Sequence, residues 1–290
     1  MEKLTKKLKD NIEGVKSVLS AKDILVYEFL TGDGTECAIV YTDGMVDKAL
    51  LGDLAARPLS KLTPENKEKG FTLEEVKQTL LFPELKEETQ LQNIFAEVLD
   101  GNSLLLVDGL ETGLIVGAKL LPTRAVMEPP TDIAVKGPRE GFIEDIKTNM
   151  ALLRKRLKTP DLKFELQKAG KRSQTNIAIC YLDGICDEKV KKEVAARIGE
   201  IDIDCIPDSS YVAAFIAPRK HSIFHEVGTT EKPDILAAKM AEGRVGILVD
   251  GSPIALTVPF ILTEDFQSSE DYFVSPFMAT IFRAIRFLAI

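Results

Sequence analysis

Tryptophan is absent from this 290-residue chain, histidine occurs twice and cysteine four times. The cysteines, Cys37, Cys180, Cys186 and Cys205, show no C-x-x-C spacing, which removes the usual zinc-knuckle and dithiol redox patterns. Three of them sit in apolar or strand-like runs, as buried thiols of a reducing compartment do. Positive charge is also in deficit. With 37 Lys and Arg against 45 Asp and Glu the formal charge is -8, and no basic stripe interleaved with aromatics is visible, so a nucleic-acid backbone is a poor partner. The start, MEKLTKKLKDN, lacks the apolar segment of a secretory signal, and the expectation is a chain that begins in the cytoplasm. There is no G-x-S-x-G, no P-loop, no G-x-G-x-x-G after a strand and no paired Cys/His ligand set. These absences leave an enzyme unsupported, and no cofactor or metal is expected.

What is present is a globular composition, 45% apolar and 28% charged, that fits neither a disordered nor a wholly membranous chain. It is also present twice. CAIVYTDG, ending at Gly44, returns as NIAICYLDG, ending at Gly184, so that Tyr41, Asp43 and Gly44 precede Tyr181, Asp183 and Gly184 by 140 residues. Upstream, Asn11-Ile12 and Asp23-Ile24 precede Asn149-Met150 and Asp161-Leu162 by 138; downstream, LLLVDG to Gly109 precedes GILVDG to Gly251 by 142. An offset that drifts slightly while the order holds is what duplication followed by small loop insertions leaves.

Each copy reads alike. Leu4, Leu8, Ile12, Val15 and Leu19 recur at helical spacing and predict a helix over 2–19. Ile24–Leu30 and Cys37–Tyr41 predict an antiparallel hairpin, and Asp47 a cap for a helix over 48–57 limited by Pro58. Helical periodicity follows over 72–81 and 84–99, then strands over 103–107 and 110–116 around Asp108-Gly109. In the second copy Phe142, Ile146, Met150, Leu153 and Leu157 mark the first helix, strands 162–166 and 176–181 the hairpin, and Asp187 the cap of a helix over 188–198. SYVAAFIA at 210–217 favours a buried strand by its length, with a helix as the alternative. Pro233 and Gly243 bracket a helix over 234–242, and 244–258 repeats the Asp-Gly hairpin. The fold class is α/β of the α+β type: two similar subdomains, each a mixed or antiparallel sheet of β-hairpins packed against helices. The divisions are 1–121, a proline-rich connector 122–140, 141–262, and a tail 263–290.

That tail, EDYFVSPFMATIFRAIRFLAI, is apolar nearly all round after Ser275 except for Arg283 and Arg286, yet falls short of the ~20 apolar residues a spanning helix needs. It is either a terminal helix docked on the protein or the approach to a membrane segment.

Taken with the repeat, GPREGFIEDIKTNMALLRKRL (137–157), DLKFELQKAGKRSQTNIAICYLDGICD, GRVGILVDGSPIALTVP (243–259) and EDYF before an arginine-containing apolar run resemble the N-terminal soluble region of spore germinant receptor A subunits, the GerA family. The resemblance covers nearly the whole chain; FVSPFM, just past Tyr272, departs from it. It implies a hydrophilic head of two similar subdomains ahead of several membrane helices, in the spore inner membrane. The implied partners are a transporter-like B subunit, a lipoprotein C subunit and other A subunits, and the implied stimulus is a small nutrient such as an amino acid, sugar or nucleoside. The lack of a leader and the arginines of the tail put this region on the cytosolic, core-facing side.

Four Asp-Gly pairs, Asp43-Gly44, Asp108-Gly109, Asp183-Gly184 and Asp250-Gly251, are read as turns rather than ligand sites. His221, His225 and Glu226 would share one face if helical, but Pro218 and Gly228 argue for a loop and against a metal. The densest polar set in the family-like stretch is Arg139, Glu140, Glu144, Asn149, Arg154 and Arg156. These residues either pair across the two subdomains and fix their angle or line a cleft for an anionic or zwitterionic ligand.

Overall fold

Asn11 decides where the first helix begins. In the computed structural model, which describes residues 3–65, 70–120, 138, 140–217, 226–261, 264 and 275–289, the Asn11 side chain accepts from the Thr5 N–H at 2.8 Å and donates to the Thr5 carbonyl at 2.7 Å. That clamp holds the preceding residues out of the helix, so α1 runs only over Leu8–Val18, not from residue 2. Leu4 is buried all the same, tied through its N–H to the Thr89 carbonyl at 3.0 Å.

The chain divides into two compact units, Met1–Pro122 with Lys158–Pro160, and Thr123–Leu157 with Asp161–Ile290. In the first, β1 (Ile24–Leu30) pairs antiparallel with β2 (Glu36–Thr42), Ile24 opposite Thr42. Asp47 accepts from the Leu50 N–H at 3.0 Å and starts α2 (Lys48–Leu51). Pro58 does not stop this helix. The chain takes a π-helical turn over Gly52–Ala56 and continues as α3 (Arg57–Leu59). Proline has no N–H for the carbonyl four residues back. That carbonyl, on Leu54, accepts instead from the Leu81 N–H at 3.3 Å.

Next, α4 (Leu73–Thr79) opens on a capping box between Thr72 and Glu75. The single helix expected over 84–99 is two elements, β3 (Leu85–Glu88) and α5 (Leu91–Leu99). The Glu88 carboxylate takes the N–H groups of Thr89 and Gln90, each at 2.9 Å, and turns the chain there. LKEE was hard to read as a strand because β3 is a sheet edge with little to bury. β4 (Ser103–Val107) and β5 (Gly113–Val116) complete a five-stranded antiparallel sheet in the order β1-β2-β4-β5-β3; β5 begins three residues later than expected.

Helices cover both faces. Leu8, Ile12 and Val15 of α1 pack with Ile94 and Val98 of α5 against Val40, Leu104 and Leu106, while Leu51, Leu59 and Val76 from α2 to α4 pack against Ile39, Leu105 and Leu114. A sheet buried on both sides needs apolar residues at every position, hence the unbroken runs CAIV and LLLV. Each such side chain contributes about 1.5–3 kcal/mol by leaving water.

The second unit repeats this plan with α6 (Ile146–Arg156), β6 (Leu162–Ala169), β7 (Thr175–Leu182), α7 (Glu188–Gly199), α8 (Ser209–Ile216), β8 (Gly228–Thr230), α9 (Pro233–Ala241), β9 (Val245–Val249) and β10 (Ala255–Val258). Its strand order, β6-β7-β9-β10-β8, is the first order transposed. SYVAAFIA is helical, begun by Asp208, whose carboxylate accepts from the Ser209 N–H. β8, a three-residue edge strand, carried no readable period. Individual bonds repeat too. Asn149 exchanges the same pair of bonds with Ile143, at 2.9 and 2.6 Å, that Asn11 exchanges with Thr5. The Asp43 N–H reaches the Asp23 carbonyl at 2.7 Å, and the Asp183 N–H the Asp161 carbonyl at 2.8 Å.

The last helix, α10 (Pro276–Ala289), leaves Phe277, Ile285, Phe287 and Leu288 exposed. No helix of the described residues is long and apolar enough to cross a membrane.

Candidate functional site

In all four Asp-Gly pairs the glycine alone takes a positive φ, between 77° and 90°, and the residue after it donates to the carbonyl before the aspartate, as Leu110 does to Val107 at 3.2 Å. The aspartates divide by place. Asp108 accepts from the Leu8 N–H at 2.9 Å and Asp250 from the Ile146 N–H at 3.4 Å, so each receives the first N–H of the opening helix of its unit. Asp43 instead pairs with Lys48 at 2.6 Å.

The polar set of the family-like stretch separates into different environments. Glu140 holds Lys155 at 2.6 Å and Arg156 at 2.7 Å. Burial opposes its ionised form, but the two cations outweigh that and hold its carboxyl below the usual range. Arg154 belongs elsewhere: it is fully buried, lies 5.4 Å from the Phe164 ring centroid and donates to the Leu162 carbonyl at 3.0 Å. Asn149 is spent on its clamp, and Glu144 is exposed, with its backbone carbonyl accepting from the Gly251 N–H at 2.8 Å. Arg139, His221 and His225 lie outside the described residues. Among those described, no group of three His, Cys, Asp or Glu is placed to hold a metal ion.

A concave site that the sequence reading missed lies within the first unit, where β1 and β2 meet α2 and its π-helical turn. It is a cavity of about 460 Å³ walled by Tyr27, Phe29, Tyr41 and Leu51, with Lys48 and Arg57 at its polar side. Tyr27 and Phe29 stack, their centroids 5.7 Å apart, and the Lys48 ammonium stands 5.8 Å from the Tyr41 centroid. Strand register explains the wall: Tyr27 lies opposite Ile39, and Leu25 opposite Tyr41, so the odd-numbered residues of both strands face α2.

The second unit shows the same place differently furnished. Glu165 lies opposite Ile179 and Lys163 opposite Tyr181, so Glu165 takes the position of Tyr27. The Tyr181 hydroxyl donates to Glu165 at 2.7 Å, and Lys191 of α7, at the position of Leu51, sits 4.4 Å from the Tyr181 centroid and 3.8 Å from Glu165. A charged network occupies that space. In the first unit the Tyr41 hydroxyl has no hydrogen-bond partner among the described residues. The signal was in the sequence, as a Tyr-for-Glu and a Leu-for-Lys exchange between otherwise matching copies, but only the register reveals that both exchanges fall on one cavity.

Two transposed five-stranded antiparallel sheets, each sandwiched by helices, define a duplicated α+β protein. The chain belongs to the family described as Bacillus/Clostridium GerA spore germination protein, whose model matches residues 10–290. It is 35% identical over 283 residues to spore germination protein KA of Bacillus subtilis (strain 168), covering 97% of this chain and 52% of that protein, and 33% identical over 285 residues to spore germination protein B1 of the same organism, covering 98% and 59%. It thus spans little more than half the length of these relatives. Among solved structures, the N-terminal domain of the A subunit of the Bacillus megaterium spore germinant receptor GerK3 superimposes with a TM-score of 0.67 at 30% identity, covering 89% of this chain and 98% of that one.

Proposed function

We propose that this chain is the N-terminal head of a germinant-receptor A subunit, where it takes part in nutrient sensing, signal relay and receptor assembly during spore germination. The observation that carries the reading is the match to the GerK3 A-subunit domain, which covers 98% of that domain. The head works beside a transporter-like B subunit and a lipoprotein C subunit, at the inner membrane of the spore and on its core-facing side. Its role is recognition rather than turnover. α10, with Phe277, Phe287 and Leu288 turned outward, leads toward membrane segments of the remaining half of the protein. The Glu140, Lys155 and Arg156 group, partly exposed on the second unit, offers a polar contact to a partner subunit.

The test is genetic. In the organism that carries the gene, spores lacking it should lose or slow the response to at least one nutrient, followed as the fall in optical density, and affinity capture of the tagged protein from spore membranes should bring down the B and C subunits. Unchanged germination with every nutrient tried, together with capture of neither subunit, would remove the proposal.

A further inference from the structure

From the cavity of the first unit we infer that the chain binds a small organic carboxylate with a flat apolar body between β1 and α2. Its volume, about 460 Å³, lies in the range of small-molecule sites, about 300–1,000 Å³. The walls specify the body: Tyr27 and Phe29, stacked with an interplanar angle of 21°, offer an aromatic face, and Tyr41 offers another. The polar side specifies the charge. Lys48 and Arg57 line the cavity, whereas their acidic partners Asp43 and Asp53 are not among the lining residues. The Arg57–Asp53 pair is solvated, with 70% and 57% of the two side chains exposed, so exchanging that partner for a ligand carboxylate costs little. The hydroxyl of Tyr41 is a further donor.

The second copy supplies the contrast. There a carboxylate of the protein itself, Glu165, receives the tyrosine hydroxyl and approaches Lys191, so the corresponding place already holds an anion beside a cation and a ring. In the first unit Tyr27 stands at the position of Glu165, and the carboxylates that pair with the two cations, Asp43 on Lys48 at 2.6 Å and Asp53 on Arg57, come from outside the cavity wall. The backbone differs as well: the π-helical turn over Gly52–Ala56 widens the helix where the cavity lies, a local irregularity that recurs at ligand sites. Gly52 lines the cavity, and a Cβ added there meets nothing within 4 Å.

The assignment deepens the sensing role proposed above and depends on that role for its physiological sense, not for its chemistry. The experiment is a titration of the 290-residue chain with 3-phenylpropionate and, separately, with its uncharged amide, followed through the ring resonances of Tyr27, Phe29 and Tyr41. With no tryptophan in the chain, tyrosine fluorescence gives an independent readout. The expected result is saturation by the acid at millimolar or lower concentration and about tenfold weaker binding of the amide. Two variants that leave the core intact should each weaken the acid about tenfold: Tyr27→Glu, at a half-exposed position, which restores the protein carboxylate of the second copy, and Gly52→Leu, which narrows the cavity. Absence of saturation up to about 10 mM, equal binding of acid and amide, or undiminished binding by both variants would each overturn the inference. A cavity that receives only a side chain of a partner protein gives the first of these outcomes. Failure here leaves the receptor reading standing, and a gene whose loss does not alter germination leaves the titration standing.

Discussion

Tyr27 and Glu165 stand at one place in two copies of the same sheet, and around them the copies have parted. In the second unit a tyrosine, a carboxylate and an ammonium satisfy one another; in the first, two aromatic rings wall an open cavity beside two cations. Scaffold and contents have separate histories. The strand order, the Asn11 and Asn149 clamps and the glycine turns are kept where the backbone depends on them, while side chains facing α2 and α7 differ within the same strand order. Retained bonds mark what the fold requires, and divergent ones mark where function was free to enter.

Four measurements would break or sharpen this comparison. The largest effect is expected at Arg154, which is buried against Phe164, whereas its counterpart 138 residues earlier, Lys16, is exposed. Arg154→Ala should cost about 3 kcal/mol by stranding buried partners, and Lys16→Ala less than about 0.5 kcal/mol, both read from urea unfolding. Similar costs would mean that this divergence is only apparent.

The clamps should behave in the opposite way. Asn11→Ala and Asn149→Ala each remove two short bonds and leave backbone groups unpartnered, at about 2 kcal/mol apiece. A cost confined to one unit would show that the duplicated geometry is not equally needed.

A smaller effect concerns Tyr181, whose hydroxyl is pushed up to about 12 by burial first and by its bond to Glu165 next. A folded-state value raised above the unfolded one stabilises fully below the unfolded value and is lost as pH rises through the folded one. Ultraviolet titration should therefore find one phenolate forming only near the alkaline limit, and Glu165→Gln should bring it down. The smallest effect is at Glu140, held below the usual carboxyl range despite burial by Lys155 and Arg156. Here the contribution is present above the unfolded carboxyl value and fades as pH falls through the folded one. Glu140→Gln should lower stability slightly at neutral pH, flatten the acid limb of the profile and leave stability at the acid end almost unchanged.

Much of the scaffold was legible in the sequence. Both hairpins follow from β-branched and aromatic runs between turn residues, and the helix starts at Asp47 and Asp187 from their side-chain oxygens. What escaped reading was short or set by distant partners. β3 is an edge strand without a buried face to impose a period, β8 is too short at three residues to show one, and the start of α1 depends on a bond between Asn11 and Thr5. SYVAAFIA is too short for length to decide between strand and helix. The polar set was legible as charge but not as environment: nothing in RKRL says that Arg154 is buried while Arg156 meets Glu140.

By itself the sequence determined that one unit was used twice and that its strands pair as antiparallel hairpins, because periodicity and order are local properties that survive unfolding. Only the tertiary structure decided that Tyr27, Tyr41, Leu51 and Arg57 enclose one cavity. Strand register and the π-helical turn bring together positions up to 30 residues apart in the chain, and such a juxtaposition exists only once non-local hydrogen bonds and packing have formed.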